Sequence, residues 1–365
     1  MDITYIITRS DRVGGAQLHV RDLSAAIQQR GHNVHVICGG DGPYFDLLSD
    51  AGVSFTRLPS LVRPVRPGTD WKCLGDLKRE LRRLNPQVVH AHSSKAGLLG
   101  RLAAHQLGIP AVFSAHGWSF TDGIAPHLAF VFRMAERRAA NWCTKILCGC
   151  EGDRQMGLRA KVGDESKIQT IWYGIHNLSE PQKADPAKQP PNLVMVARFE
   201  PQKDHETLIR ALGQVADLDW SLDLLGDGPL RPAMEALASE LGIADRIQFR
   251  GMQPSSEFLP NSQLFLLITN WEGLPLSTLE GMRIGLPLIG TSVGGIPEQI
   301  TDGESGYLVP RGDDHALADR LRKLLLDPSL RKQMGQKGLQ RFHADFQYER
   351  MLEKVESVYQ DAATR

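Results

Sequence analysis

Two α/β domains in series, each a parallel sheet covered by helices on both faces, are the architecture the sequence predicts, and three observations predict it. Short β-branched or apolar runs alternate with longer amphipathic ones along most of the chain. The alternation breaks once, at 179–191, a stretch with four prolines and almost nothing apolar that reads as an exposed linker. The chain's 365 residues also exceed what one hydrophobic core usually serves.

In the first half the strand-like runs are 3–8, 34–38, 53–58, 88–92, 111–115, 146–150 and 168–172. Helical patterns lie between them, such as 17–30, where Val20, Leu23 and Ile27 share a face and Gly31 supplies a stop. After the linker the strands resume at 193–197, 221–225, 247–250, 264–269, 287–291 and 307–309. Past Pro328 the pattern is helical and charged, with Phe346, Met351, Leu352 and Val355 available to pack on a neighbouring surface. The expected boundaries are 1–178 for the first domain, 179–191 for the linker and 192–345 for the second domain, with a terminal helix over about 346–365.

Composition narrows the partners. Forty-two basic and 42 acidic residues cancel, so there is no global pull toward nucleic acid, and an anionic ligand must be held by a local arrangement. The opening residues 1–7 lack the basic region and long apolar core of a signal peptide, and no apolar stretch is long enough to span a bilayer, so a cytoplasmic protein is expected. Cys38, Cys73, Cys143, Cys148 and Cys150 are odd in number, and no second Cys or His pair follows Cys148 and Cys150 at ligand spacing; buried reduced thiols are expected.

Ligands of open parallel sheets bind beyond the carboxyl ends of the strands, so the chemistry is sought there. Gly14-Gly15 follows the first strand and lets a ligand approach backbone N–H groups, unless it is a plain turn. His90, His92 and His116 end two strands, where each can donate to a sugar hydroxyl or serve as a satisfied structural residue; Gly117 after it makes His116 the best placed.

In the second half Arg198 and Lys203 converge on one strand-to-helix turn. A guanidinium fork and an ammonium there would neutralise a diphosphate, the alternative being a solvated pairing of Lys203 with Asp204 or Glu206. Gly226-Asp227-Gly228 and Phe249-Arg250-Gly251 cap the next two strands and allow close approach to a base or ribose. Glu272 lies in the loop after the run 264–268, free to accept from substrate hydroxyls, and Glu280 about one turn past Leu276 on the following helix. Between them the helix start, with Ser277 and Thr278, offers unpaired N–H groups to a phosphate.

Taken in order, these strand ends resemble glycosyltransferase family 4 of the GT-B fold. The likeness runs from Gly14-Gly15 through His116, Arg198 with Lys203, Gly226-Asp227-Gly228 and the Glu272 to Glu280 segment to Gly294-Gly295-Ile296-Pro297-Glu298 and Gly303-Glu304-Ser305-Gly306. It implies two Rossmann-like domains facing across a cleft, a terminal helix that crosses back to the first domain, and a retaining transfer of sugar from a nucleoside-diphosphate donor, a UDP-sugar, to a glycan or polyprenyl-diphosphate-linked acceptor in envelope or exopolysaccharide assembly. By the same resemblance Arg198 and Lys203 hold the diphosphate, Glu280 the ribose, Glu272 the donor sugar hydroxyls, and His116 touches the sugar from the other domain. Gly14, Gly15, Gly226, Arg250, Leu276, Ser277 and Thr278 complete the donor site.

The family is generally metal-independent, in keeping with the lack of Asp-x-Asp at any strand end here, and no cofactor beyond the nucleotide sugar is expected. Gly294 and Gly295 read as backbone-shaping. The likeness breaks at Tyr173-Gly174-Ile175-His176, where the family often has Asn-Gly-Val/Ile-Asp. A nucleotide-sugar epimerase or hydrolase of the same fold is the competing reading. A two-domain sugar-binding protein is a further one. Trp71, Leu74, Leu77, Leu81 and Leu84 interleave with Lys72, Lys78, Arg79, Arg82 and Arg83, a pattern suited either to peripheral contact with an anionic membrane at the inner face of the cell membrane or to a surface helix packed by its leucines.

Overall fold

A computed structural model describes residues 1–11, 13–121, 124–177 and 183–364. The chain divides into two compact units: Met1–Trp172 with Glu349–Arg365, and Tyr173–Tyr348. Among the described residues, unit 1 carries β1 (Asp2–Ile7), β2 (Asn33–Cys38), β3 (Ser54–Arg57), β4 (Val88–His92), β5 (Ala111–Ala115), β6 (Lys145–Cys148) and β7 (Ile168–Thr170), ordered β3-β2-β1-β4-β5-β6-β7 and all parallel. Unit 2 carries β8 (Asn192–Val196), β9 (Ser221–Leu225), β10 (Ile247–Gly251), β11 (Leu264–Leu267), β12 (Leu288–Thr291) and β13 (Gly306–Val309), ordered β10-β9-β8-β11-β12-β13 and again parallel.

Both orders reverse direction once, between β1 and β4 and between β8 and β11. These are the switch points where the loops part and a crevice opens beyond the strand ends. Central strands such as β4, β5 and β11 are buried at every position because helices cover both faces, and this is why they read as continuous apolar runs.

The helix Pro67–Leu84 shows how sequence becomes packing. Pro67 opens it, and Asn85 ends it in the left-handed region at φ 45°. Cys73, Leu74, Leu77 and Leu81 form its buried face, each leucine contributing about 1.5–3 kcal/mol. Arg79 pairs with Asp76 and Arg83 with Glu80 along the same helix. Its leucines therefore serve the core of unit 1, and of the apolar residues expected to face a membrane only Trp71 stands well exposed.

The described part of the proline-rich stretch is exposed as expected at Lys183, Asp185, Lys188, Gln189 and Pro190, but its backbone is tethered. Residues 179–182 lie outside those described, but from Lys183 the chain is held on unit 2. Arg331, itself buried, donates from Nε to the Pro186 carbonyl at 2.6 Å and from Nη2 to Lys188 O at 3.1 Å, and Ala184 N donates to Ile284 O at 3.1 Å. One arginine thus satisfies two carbonyls of a segment whose prolines lack the N–H that a regular ladder needs.

The terminal helix Tyr348–Ala363 closes unit 1 through ion pairs of Arg30 with Glu349 and Glu356, and Tyr359 is buried beside Tyr5. At the family's departure point His176 stacks on Tyr348 with ring centroids 3.8 Å apart, so the imidazole found there serves as a packing group within unit 2. All five cysteines are buried, and Cys150 caps a helix by accepting from Asp153 N.

Candidate functional site

In unit 2 the carboxyl ends of β8 and β11 lie side by side at the switch point, and the loops that leave them are stitched together. Lys203 bridges to Thr269, Asn270 N donates to Gln202 O at 2.7 Å, and Gln202 Nε2 donates to Trp271 O at 2.8 Å. This backbone pairing brings the Lys203 ammonium onto the Glu272 carboxylate, with side-chain exposures of only 14% and 8%. Thr269 Oγ1 adds a hydrogen bond to the same carboxylate oxygen at 3.1 Å. Arg198, at the end of β8, reaches Glu200 at 3.1 Å and stays half exposed, its guanidinium accessible to an anion.

Two glycines allow this closeness. Gly226 stands at φ +143°, and a Cβ there would sit 2.0 Å from the Ala197 carbonyl oxygen; Gly294, at φ +54°, would put one 2.0 Å from Glu272 O. Gly226, expected at the donor, thus packs the end of β9 against that of β8, and Gly294 shapes the backbone behind Glu272. Gly14 and Gly15 of unit 1 contrast with them. A Cβ on Gly15 would meet nothing within 4 Å, so the fold leaves open space where a ligand could approach the start of the helix Gly15–Gln29.

Glu280 lies on the helix Leu276–Arg283, and its Oε2 accepts from Ser255 Oγ at 2.8 Å. Burial pushes its carboxyl above the usual range, against the opposing pull of that hydrogen bond and of Arg283. A desolvated acceptor of this kind suits a ribose diol. Ser277 remains partly exposed at the helix start.

Two expected residues are directed elsewhere. Thr278 is fully buried, its hydroxyl donating to Pro275 O at 2.7 Å and pairing with Gln299 Oε1 at 2.6 Å, so it braces the helix start from inside. Arg250 turns back along the sheet to Asp223, with Nε 2.6 Å from Oδ1, because its position in β10 alternates onto the face where Asp223 stands.

In unit 1, His116 belongs to a histidine cluster at the ends of β4 and β5. His92 Nδ1 lies 3.0 Å from His116 Nε2, the His90 and His92 ring centroids are 4.0 Å apart with the planes tilted by 40°, and His19 packs edge-on to His116 at 5.5 Å. Behind them His90 reaches the Tyr359 hydroxyl at 2.6 Å and Ser114 at 2.8 Å, and Tyr359 donates to Tyr5 at 2.9 Å. Burial lowers His116 to about 4 and His19 to about 3, so the cluster is neutral at pH 7. His19 and Tyr359 were not singled out in the sequence. His19 stands next to Val20 on the apolar side of its helix, a signal that could have found it, whereas nothing in the sequence pairs Ser255 with Glu280.

Two parallel-sheet Rossmann-like units, the second with cationic and acidic groups at its switch point, make up a GT-B fold. The family described as "Glycosyl transferases group 1" matches residues 178–341, and that described as "Glycosyltransferase Family 4" matches 13–176. The chain belongs to glycosyltransferase family 4 and is a glycosyltransferase.

It is 27% identical to N-acetyl-alpha-D-glucosaminyl L-malate synthase of Bacillus anthracis, over 97% of this chain and 96% of that one. It is 26% identical to the Escherichia coli UDP-Gal:alpha-D-GlcNAc-diphosphoundecaprenol alpha-1,3-galactosyltransferase, over 90% and 89%. Among solved structures, Anabaena HepE in complex with UDP superposes with a TM-score of 0.84 at 17% identity, covering 99% of this chain and 100% of that one.

Proposed function

We propose that this glycosyltransferase moves a sugar from a UDP-sugar to a glycan or lipid-linked glycan acceptor, with retention of the donor's configuration, in bacterial envelope polysaccharide assembly at the inner face of the cell membrane. The observation that carries the donor reading is the convergence of Arg198, Lys203 and Glu272 at the β8/β11 switch point. The acceptor reading is supported by the Escherichia coli diphosphoundecaprenol galactosyltransferase named above and by the Staphylococcus aureus capsular polysaccharide glycosyltransferase CapM, 25% identical over 91% of this chain.

Each residue then has a task. As the anomeric carbon passes through an oxocarbenium-like state, negative charge grows on the leaving diphosphate, and Arg198 and Lys203 stabilise it. Lys203 swings from Glu272 onto phosphate, and Glu272 turns its freed oxygens to the sugar hydroxyls. Glu280 accepts from the ribose, the Leu276–Arg283 helix start receives phosphate, and His116 donates to the sugar. Retention without a covalent step follows if the acceptor enters on the side of the departing diphosphate. The two cations supply the charge compensation that a metal gives in other transferases.

The test is calorimetry with UDP. The Arg198→Ala, Lys203→Ala double variant should bind UDP on the order of a hundredfold or more weaker than wild type, two charge-assisted contacts being lost. Equal affinity in the two proteins would overturn the donor site, and turnover of UDP-sugar as fast without acceptor as with it would overturn the transferase reading of the acceptor side.

A further inference from the structure

Every large hydrophobic side chain that unit 1 exposes among its described residues either lines one cavity or sits within four residues of its wall. The cavity, of about 470 Å³, lies at the β1/β4 switch point between Ile7, Thr8, Lys95 and Leu98 on one side and Phe132 and Ala135 on the other. Those last two belong to the helix Pro126–Ala139, whose inner side sends Glu136 to Arg101 at 2.6 Å. Its outer side is largely apolar: Leu128, Phe130, Val131 and Met134 all face water, Phe130 at 61% and Val131 at 56% exposure, with His127 and Arg138 exposed beside them. Across the mouth stand Val65, 74% exposed, and Trp71, 78% exposed. So much apolar surface on one rim marks a binding face rather than scattered residues.

The charge of the rim selects the partner. Arg63, Arg66 and Lys72 are exposed and interleave with Val65 and Trp71, and no ion pair engages Arg63 or Arg66 among the described residues. Apolar side chains that can enter the acyl boundary, a tryptophan at that depth and cations at headgroup level form the pattern of an interfacial binder. The 14-residue helix Pro126–Ala139 is too short to cross a bilayer, and no helix among the described residues is long and apolar enough to do so; a helix of this kind lies along the surface.

We propose that unit 1 docks on an anionic lipid surface through the outer face of Pro126–Ala139 together with Val65, Trp71 and the Arg63, Arg66 and Lys72 cations, so that the cavity opens onto the membrane and takes its acceptor from there. The proposal rests on the reading of the acceptor as lipid-linked. It replaces Lys78, Arg79, Arg82 and Arg83 as the contact, since the leucines between them are committed to the core.

Sedimentation with vesicles of phosphatidylcholine, with and without phosphatidylglycerol, tests it in the absence of donor and acceptor. Wild type should bind the anionic vesicles and lose them as salt rises. The Phe130→Glu, Val131→Glu variant should lose binding at least tenfold. The Arg63→Gln, Arg66→Gln, Lys72→Gln variant should lose on the order of a hundredfold. The Lys78→Gln, Arg79→Gln, Arg82→Gln, Arg83→Gln variant should bind like wild type.

No wild-type binding to anionic vesicles, or full binding by the Phe130 and Val131 variant, overturns the proposal. So does a lipid-free wild-type dimer that this variant splits, which would make the face an interface between copies. UDP calorimetry on the same proteins keeps the donor reading separate: its failure would leave the vesicle result standing, and the reverse holds as well.

Discussion

Lys203 donates to Glu272, and both side chains are almost shut away from water. Each group therefore neutralises the other at the place where a diphosphate and a sugar are proposed to sit. Removing one partner strands the other as a desolvated charge, which costs about 3–5 kcal/mol, whereas removing both costs less than the sum. Urea denaturation of Lys203→Ala, Glu272→Ala and the double variant should show this favourable coupling; strictly additive losses would mean that the pair contributes nothing to the apo fold.

The same contact makes Glu272 a competitor for the lysine that phosphate needs. Glu272→Gln should retain or tighten UDP binding while kcat falls by a hundredfold or more, because Lys203 is released but the sugar hydroxyls lose a charged acceptor. Calorimetry alongside steady-state kinetics separates the two effects, and a variant that loses UDP while keeping kcat would reverse the assigned roles.

Glu280 invites a different substitution. Its carboxyl is raised by burial, with one hydroxyl, Ser255, as the hydrogen-bond partner the structure gives it. Above the usual carboxylate pKa the folded state must hold that charge in a dry site, so Glu280→Gln should raise the Tm at pH 7.5 by a few degrees, and the gain should vanish near pH 4, where the native carboxyl is protonated. UDP affinity should drop in the same variant, since an amide accepts less strongly from a ribose diol. A Tm gain that persists unchanged at pH 4 would remove the charge argument.

The strand ends were legible in the sequence for a simple physical reason. Strands buried on both faces must be apolar throughout, so β8 and β11 stand out as Leu193–Met195 and Leu264–Leu267 surrounded by polar loops, and whatever charge follows them falls at the crevice. Direction within a strand was not legible: Arg250 occupies the right strand, but alternation turns it onto Asp223. Nor was the packing of Thr278, whose partner Gln299 lies 21 residues on. The stretch 183–191 is exposed at five positions, as its composition suggests, but the tether on its backbone was not legible, because the residue that binds its carbonyls, Arg331, stands 145 residues past Pro186. The helix Pro67–Leu84 shows cations and leucines interleaved in sequence that a helical turn sorts onto separate faces, and only burial tells which face meets the core.

The histidine cluster makes unit 1 sensitive to acid. His116 is lowered to about 4 and His19 to about 3 by burial, with His90 and His92 also lowered. Between these values and the usual 6.5 of the unfolded chain, the unfolded state binds more protons than the folded one, so stability is fully present above pH 6.5 and is lost as pH falls toward 4. His116 alone is worth roughly 3 kcal/mol over that window. Differential scanning calorimetry should show the Tm falling steeply between pH 6.5 and 4, and a flat profile there would mean that the rings are solvated.

The contact between His92 and His116 fixes more than position. Both rings are neutral, so each carries one N–H and one lone pair. His92 Nε2 is buried with no hydrogen-bond partner, and a buried lone pair is less costly to leave unpaired than a buried N–H, which puts the His92 proton on Nδ1. His92 then donates to His116 Nε2, 3.0 Å away, and His116 carries its own proton on Nδ1 as a donor. His92→Asn keeps an N–H where Nδ1 stood and should preserve most of the activity, whereas His92→Leu frees His116 to change tautomer and should cut kcat tenfold or more with little change in UDP affinity. Nitrogen-15 NMR of the His116 ring should show the Nδ1–H form in wild type and in His92→Asn, and a mixture in His92→Leu. An Nε2–H signature in the wild-type protein would refute the assignment, and equal kcat in the Asn and Leu variants would reduce His92 to a packing residue.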